Sequence, residues 1–182
     1  MVKGKILLLN GPGSAGKTTL SWELQDKAPG YWYWLPLDYY FDMVPSQQWE
    51  RDREESFRVA FDFHHDCVRT LSDQGKNVIV DTVICSEDKL DSFVNKLTEH
   101  TVIMVKVTCP LEELNRREIA RGDMEIGLAA GQIDNIIPKD DYDLVVDTHS
   151  QTTEECARRI MDLIENPQSI NAFKKLTSKI NL

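Results

Sequence analysis

The sequence has few cysteines, and none of them are close together. Its four cysteines, Cys67, Cys85, Cys109 and Cys156, are widely spaced and include no C-x-x-C pair. Zinc sites and disulfide frameworks use cysteines at short characteristic spacings, so this pattern argues against both. We therefore expect buried thiols in a reducing compartment, which predicts a cytoplasmic protein.

Long apolar runs and an excess of basic residues are also missing. No stretch approaches the roughly 20 apolar residues that a membrane-spanning helix needs, and the apolar run near the N-terminus is too short for a signal peptide. Lys and Arg number 21 against 30 Asp and Glu, which gives a net charge of −9. An acidic chain does not favour anionic partners, so we expect neither nucleic acid nor a membrane as a partner.

The remaining pattern predicts one α/β domain over residues 1–182. The length suits one domain with a full core, and no repeat or linker interrupts the chain. Strand-like and helix-like segments alternate, which predicts a five-stranded parallel sheet with helices on both faces. The predicted strands are Lys5–Asn10, Tyr31–Leu37, Asn77–Asp81, Val102–Val107 and Asp143–Asp147.

Between these strands, the helical patterns and one glycine-containing segment define the rest of the chain. Asp38–Ser46 is predicted to be irregular, and the glycines of 122–139 predict a mobile lid. The predicted helices are Gly16–Lys27, Ser46–Gln74, Ser86–Leu97, Pro110–Arg121 and, as the last one, a helix from Thr152 or Thr153 to Ile164.

The most informative stretch is Lys5–Leu20, KILLLNGPGSAGKTTL, which fits the phosphate-loop pattern G-x-x-x-x-G-K-[ST]. Glycines allow backbone N–H groups to approach an anion, and the following helix adds its positive end. A chance match is disfavoured because the motif follows an apolar run and precedes a helical pattern. The predicted nucleotide-binding residues are Gly11, Gly13, Ser14, Ala15, Gly16, Lys17, Thr18, Thr19 and, beside the adenine, Thr148.

Three carboxylates are predicted at or just after strand ends, where ligands gather in open parallel sheets. We expect Asp38 to orient an acceptor hydroxyl and take its proton, the alternative being a turn or helix cap. Asp81 is predicted to hold Mg²⁺ together with the Thr18 hydroxyl, the alternative being a turn residue. Asp147 is expected to cap the loop before the last predicted helix.

The second informative stretch is Asn115–Asp123, NRREIARGD. Arg117 and Arg121 are four residues apart and therefore share a helical face beside the predicted lid. We expect both, with Lys17, to stabilise the charge of a transferred phosphoryl group. The alternative is that these arginines are solvated and paired with Glu112, Glu113 or Glu118.

Two further groups stand out less. His64 and His65 point to different faces of a helix, so a shared metal is not expected and they are interpreted as surface or packing residues. The aromatic residues after Asp38, including Tyr39, Tyr40 and Phe41, are a possible lining for an acceptor pocket.

With these motifs in hand, the chain resembles the chloramphenicol phosphotransferase-like family of P-loop kinases. The resemblance lies in the phosphate loop, in LDYYFDMVP at Leu37–Pro45, in VIVDTV at Val78–Val83 and, most specifically, in the block Arg117–Ala157. It implies a fold similar to shikimate and adenylate kinases, ATP-dependent phosphorylation of a small-molecule hydroxyl, and the roles given above to Asp38, Arg117 and Arg121. The stretch Ser46–Lys76 shows little likeness, so chloramphenicol is not inferred as the acceptor.

The expected function is therefore transfer of the γ-phosphate of ATP, with Mg²⁺, to a small-molecule hydroxyl. Two alternatives remain open from the residues. One is a kinase for a metabolite such as a hydroxy acid or a nucleotide-sugar. The other is a nucleotide-dependent switch or binding module that has no small-molecule acceptor.

Overall fold

The predicted parallel sheet is present in the computed structural model, which describes residues 2–122 and 126–180. Its five strands are all parallel and lie in the order β2-β3-β1-β4-β5. They are β1 (Ile6–Asn10), β2 (Trp32–Pro36), β3 (Asn77–Thr82), β4 (Val102–Thr108) and β5 (Leu144–Asp147). Every residue of the central strand β1 is buried, because helices cover both faces of a parallel sheet and select continuous apolar strands.

The helices form two layers. They are α1 (Lys17–Lys27), α2 (Asp38–Asp42), α3 (Ser46–Arg51), α4 (Arg53–Asp73), α5 (Glu87–Leu97), α6 (Leu111–Arg121), α7 (Leu128–Ile133), α8 (Thr153–Glu165) and α9 (Ala172–Ile180), with a short 3₁₀ helix at Pro167–Ser169. Helices α1 and α8 pack on one face of the sheet, while α4, α5 and α9 pack on the other. In the described residues, no helix combines the length and apolar character needed to cross a bilayer.

Strand register brings the ends of three strands to one level. Leu9 of β1 pairs with Asp81 of β3, and Pro36 of β2 pairs with the same residue. The backbone N–H of Leu37 also donates to the Asp81 carbonyl at 2.9 Å. The residue after Leu37 is Asp38, so the loop that follows β1 and the two carboxylates meet at the carboxyl edge of the sheet, where this fold class binds ligands.

The predicted helical region Ser46–Gln74 is wrong as one unit, because it consists of α3 and α4. The chain breaks at Asp52, which has an extended backbone (φ −154°, ψ 90°) and whose side chain accepts a hydrogen bond from the Glu55 N–H. The extended backbone of Asp52 ends α3, and its carboxylate caps α4. Ser46 is not the N-cap of α3, because Pro45 occupies the N-cap position.

Two other segments differ from the sequence prediction. The stretch predicted as irregular begins with α2, and the chain does not end its helical structure with α8, since α9 follows. Helix α9 is stabilised by Phe173 and Leu176, which are buried against the sheet and α5. The sequence after Pro167 did not reveal these contacts.

The segment 122–139, which the sequence predicts to be a mobile lid, begins at the end of α6 and contains a short helix. Gly122 ends α6 in the left-handed conformation (φ 67°), which favours glycine. This helix is α7 (Leu128–Ile133). Residues 123–125, including the Asp123 of the NRREIARGD stretch, lie outside the described residues.

Candidate active site

The phosphate loop connects β1 directly to α1 and has the backbone that an anion cradle needs. Ser14 and Gly16 both adopt left-handed conformations, with φ of 59° and 87°, and such turns aim successive N–H groups inward. Gly11 packs so closely on β4 that a Cβ there would collide with the Val107 carbonyl. The Ser14 hydroxyl is buried and has no partner in the part of the chain that the structure describes, so its hydrogen-bonding capacity is available to a phosphate oxygen.

Lys17 is the first residue of α1, and its side chain contacts the backbone of this loop. Only 7% of the residue is exposed, and its ammonium donates to the carbonyls of Gly11 at 3.0 Å and Pro12 at 2.9 Å. Burial lowers the pKa of Lys17, while the nearby carboxylates of Asp81 and Asp38 oppose that shift. A cation that has lost water in this way gains strongly from a phosphate anion beside it.

The Thr18 hydroxyl donates to the Asp81 carboxylate at 2.8 Å. The two predicted metal ligands are therefore adjacent at the mouth of the phosphate loop. Hydroxyl and carboxylate oxygens fit Mg²⁺, which kinases bind through one or two carboxylates and the substrate phosphates. Residues 2–122 and 126–180 contain no cluster of three or more His, Cys, Asp or Glu side chains suited to a metal.

Asp38 lies at the start of α2 and lines the same cleft as Lys17 and Asp81, whose volume is about 830 Å³. Loss of hydration against the cleft walls raises the pKa of Asp38, and the charge of Asp81 raises it further. Lys17 and Arg121 act in the opposite direction. Asp38, Lys17 and Arg121 all line this cleft.

Arg117 bridges α6 to the phosphate loop. Its guanidinium donates to the Thr148 hydroxyl and carbonyl, both at 3.0 Å, and to the Ser14 carbonyl at 3.3 Å. The Thr148 hydroxyl in turn donates to the Ala15 carbonyl at 2.8 Å. Thr148 thus contacts the loop backbone directly, and the sequence had placed it only near the adenine.

Arg117 also forms the carboxylate pair that was the alternative prediction for the arginines, and this pair does not prevent the guanidinium from facing the phosphate loop. Arg117 Nε donates to Glu113 at 2.8 Å, so one side of the guanidinium is fixed by a carboxylate while the other faces the loop. Arg121 lines the cleft one turn further along α6. Both predicted arginines are therefore brought to the cleft.

Two site residues beyond the predicted set join α7 to this arrangement. The Gln132 side-chain oxygen accepts a 2.7 Å hydrogen bond from the Gly13 N–H of the phosphate loop. Glu118 is buried, and its two carboxylate oxygens accept from the N–H groups of Gly127 at 2.9 Å and Ala129 at 2.7 Å. Glu118 holds the start of α7, and among the described residues no ion pair joins it to an arginine. Its position on the same helix as the two arginines is the signal that the sequence offers.

The far end of the cleft is aromatic and basic. Three rings pack edge to face, with centroid distances of 5.9 Å for Phe41–Trp49, 5.4 Å for Phe41–Phe57 and 5.0 Å for Trp49–Phe57. Of these, only Phe41 belongs to the aromatic group predicted as a possible acceptor pocket. The further lining residues at this end are Leu37, Arg53, Phe61, Val83, Cys85 and Lys89.

Two histidines and a strand-end carboxylate that were not assigned to the site have structural roles. His64 and His65 are buried packing residues, not surface residues; the His64 ring lies 4.9 Å from Tyr40 and the His65 ring 5.2 Å from Phe93. Asp147 caps its loop as expected, since its carboxylate accepts from the His149 N–H at 2.9 Å.

Of the cysteines, Cys109 and Cys156 are buried as expected. Cys67 and Cys85 are only half-buried, and all four are free thiols.

Comparison with known sequences gives one family and two close relatives. The family model described as "Chloramphenicol phosphotransferase-like protein" matches residues 4–165. Two proteins of Mycobacterium tuberculosis, from strains CDC 1551 and H37Rv, are each 30% identical to this chain over 96% of its length and 90% of theirs. Both are named as candidate O-phosphotransferases.

Solved structures with a similar fold include two kinases. The APS kinase of M. tuberculosis in complex with AMPPNP and APS has a TM-score of 0.67 and 18% identity, covering 91% of this chain and 99% of its own. The shikimate kinase of Acinetobacter baumannii in complex with shikimate has a TM-score of 0.65 and 17% identity, covering 92% and 96%. At these identities the likeness shows the fold.

Proposed function

Because this chain belongs to the chloramphenicol phosphotransferase-like family, we propose that it transfers the γ-phosphate of ATP to a hydroxyl of a small molecule. Family membership and the names of the two M. tuberculosis relatives support the reaction class. The observation that carries the proposal is that Asp38 and the phosphate loop line one cleft. A nucleotide-binding loop alone would explain phosphate binding, whereas a carboxylate facing the same space provides for an acceptor.

In this proposal the phosphates of ATP lie on the backbone N–H groups of the loop, and Lys17 neutralises their charge. The acceptor oxygen forms a bond to the γ-phosphorus as the bond from that phosphorus to the β,γ-bridging oxygen breaks, which releases ADP. Asp38 accepts a hydrogen bond from the hydroxyl and receives its proton. Within the described residues, the protein donates no hydrogen bond to the Asp38 carboxylate, so the carboxylate can accept one from the substrate.

Thr18 and Asp81 are the residues that would hold Mg²⁺, which supplies positive charge to the β- and γ-phosphate oxygens. The 2.8 Å hydrogen bond between them brings both oxygens to one place. Asp81 also adds negative charge near Asp38, so occupation of this site by a cation favours the ionised, proton-accepting form of Asp38.

Arg117 and Arg121 would stabilise the charge on the equatorial oxygens of the moving phosphoryl group. Arg117 is held in position by Glu113 and Thr148, and a fixed guanidinium costs little reorganisation as charge develops.

We further propose that residues 1–182 act as one kinase domain with 122–139 as its lid. Four free thiols are in keeping with a cytoplasmic location.

The test is an acceptor screen with ATP and Mg²⁺, read as ADP release and confirmed by the mass of a phosphorylated product. The panel contains hydroxylated antibiotics, sugars, nucleosides and hydroxy acids. We expect at least one alcohol to stimulate ADP release about ten-fold or more, and Lys17→Ala to abolish the stimulated rate. Slow hydrolysis that no alcohol accelerates, with a protein partner captured only in the nucleotide-bound state, would instead identify a nucleotide-dependent switch.

A further inference from the structure

Two cations at the aromatic end of the cleft lie over rings. The Arg53 guanidinium carbon is 5.6 Å from the centroid of Phe57, and the Lys89 ammonium is 5.3 Å from Phe57 and 5.0 Å from Phe61. All four side chains line both the main cleft and an adjoining cavity of about 610 Å³. The two positive charges are therefore accessible to a molecule bound in the cleft.

These two cations, Arg53 and Lys89, form no ion pair in the described parts of the chain, 2–122 and 126–180. The adjoining cavity also carries acidic lining side chains, which are Asp52, Glu54, Glu55, Asp62 and Asp88. Of these, Glu55 and Asp62 bind Arg58, with N–O distances of 2.6 and 2.9 Å. On the side of the main cleft the acidic lining residues are Asp38 and Asp81, so both cations are available there to an anion.

The rings by themselves do not satisfy the cations. A cation over a ring face is attracted by about 0.5–1 kcal/mol at an exposed site, but the N–H groups of lysine and arginine also need hydrogen-bond acceptors. Lys89 is half-buried and Phe61 is buried, whereas Arg53 is exposed, so water is partly excluded around Lys89. An anionic oxygen beside Lys89 therefore gains more than it would at an open surface.

At the opposite end of the cleft the positive charge is assigned to ATP. Lys17 lies in the phosphate site of the proposed function, and Asp38 and Asp81 add negative charge beside it. Arg53 and Lys89 lie over aromatic rings instead. An anionic group on the acceptor is therefore placed at the Arg53–Lys89 end.

The ring wall and one of the two cations share helix α4. Arg53, Phe57 and Phe61 belong to this helix, inside the stretch Ser46–Lys76, from which the sequence analysis infers no particular acceptor. Phe41, which packs on Phe57 at 5.4 Å, lies one helical turn after Asp38 on α2. The ring wall therefore runs from the proton-accepting carboxylate to the two cations.

Resting on the proposed phosphotransferase function, we propose that the acceptor is an anionic ring compound. Its ring packs on the wall formed by Phe41, Trp49 and Phe57, its hydroxyl reaches Asp38, and its carboxylate or phosphate pairs with Arg53 and Lys89. The anion is a recognition group that remains unchanged in the reaction. The phosphoryl group is accepted by the hydroxyl.

Calorimetric titration of the full chain loaded with ADP and Mg²⁺ tests this with matched probes. In the carboxylate arm, 4-(hydroxymethyl)benzoate is compared with its methyl ester; in the phosphate arm, 4-(hydroxymethyl)phenyl phosphate is compared with 4-(hydroxymethyl)phenol. We expect the anionic member to bind about ten-fold or more tightly in at least one arm. The arm with the larger ratio identifies the anion that the site recognises.

Arg53→Met and Lys89→Met should each reduce that preference about ten-fold, with the neutral probes unaffected, and Arg53→Lys and Lys89→Arg should largely restore it. The matched controls are Arg51→Met and Lys76→Met, exposed cations outside the cleft, which should keep the preference. Equal binding of the neutral probes, no binding of either anionic probe, or a preference that survives both methionine variants would overturn the inference.

The outcomes separate this inference from the proposed function. Binding of an anionic probe through Arg53 and Lys89, together with an acceptor panel in which no alcohol is phosphorylated, supports the recognition site and contradicts the kinase. Phosphorylation of neutral alcohols as efficiently as of their anionic counterparts supports the kinase and overturns the anion site.

Discussion

The charge state of Asp38 depends on groups that act in opposite directions. Loss of hydration and Asp81 raise its pKa, and Lys17 and Arg121 lower it. A carboxylate must be ionised to accept a proton, so activity falls as the pH drops through the pKa of Asp38. The acid limb of the pH profile is therefore expected above the usual range of an aspartate.

Replacing Arg121 with methionine removes one of the charges that lower the pKa of Asp38. We expect the acid limb of kcat/KM to move to higher pH in this variant, in addition to any loss of rate at the plateau. The measurement is kcat/KM against pH with an acceptor found in the screen, and Arg51→Met is the control. An acid limb that stays at the wild-type pH would show that Arg121 does not act on the proton-accepting group.

Single residues were predictable from sequence where the backbone determines their position. Asp38 and Asp81 follow or end strands, and the loop residues follow from a fixed motif, so strand order alone brings them together. Arg53 and Lys89 were not predictable, because α4 and α5 are separate helices whose packing brings the two cations over the same ring. The burial of His64 and His65 has the same origin, since contacts with the sheet and α5 cover both rings.

Helices α6 and α7 are coupled through one buried side chain. Glu118 accepts from two backbone N–H groups at the start of α7, and α7 reaches the phosphate loop through Gln132. A six-residue helix has little stability of its own. The position of α7 over the loop therefore depends on this carboxylate together with the packing of Ala129 in the core.

Glu118→Gln retains the shape of the side chain but supplies only one oxygen acceptor. One of the N–H groups of Gly127 and Ala129 loses its bond, at a cost of about 1–3 kcal/mol for a buried group. We expect faster hydrogen–deuterium exchange in residues 126–133 and a higher KM for ATP. Glu112→Gln, an exposed carboxylate on the same helix, should leave both unchanged; unchanged exchange in Glu118→Gln would contradict the coupling.

Elements were predictable where the local pattern is strong: the strands from short apolar runs, α1 from the phosphate-loop motif before it, and α5, α6 and α8 from their apolar periodicity. Boundaries failed where a local polar contact decides them. The break between α3 and α4 depends on the Asp52 side chain bonding the Glu55 N–H, which competes with a continuous helix. Helix α9 was missed because its stability comes from Phe173 and Leu176 packing on distant elements.

The whole molecule carries two histidines that are buried in the neutral form. Burial lowers the pKa of His64 to about 4 and lowers that of His65 further, with the charge of His64 adding to the effect. In the unfolded chain both titrate near 6.5. The unfolded state therefore binds more protons below pH 6.5, and the free energy of unfolding falls as the pH decreases from 6.5 towards 4.

Each histidine contributes at most about 1.4 kcal/mol per pH unit to this slope. We expect His64→Gln and His65→Gln to reduce the slope of unfolding free energy between pH 6.5 and 4.5, measured by urea denaturation, even where they lower stability at neutral pH. His149→Gln, an exposed residue, is the control. If the slope is the same in both buried variants and in the wild type, groups other than His64 and His65 cause the loss of stability at low pH.

The central claim is that Asp38 serves the acceptor and the phosphate loop serves ATP, so one can be disabled without the other. The measurement is kcat with the best acceptor, together with the Kd for ATP, in the wild type, in Asp38→Asn and in the exposed control Asp26→Asn. We predict that Asp38→Asn binds ATP as the wild type does and loses about 100-fold or more in kcat, while Asp26→Asn loses nothing. Transfer by Asp38→Asn at the wild-type rate would contradict the account.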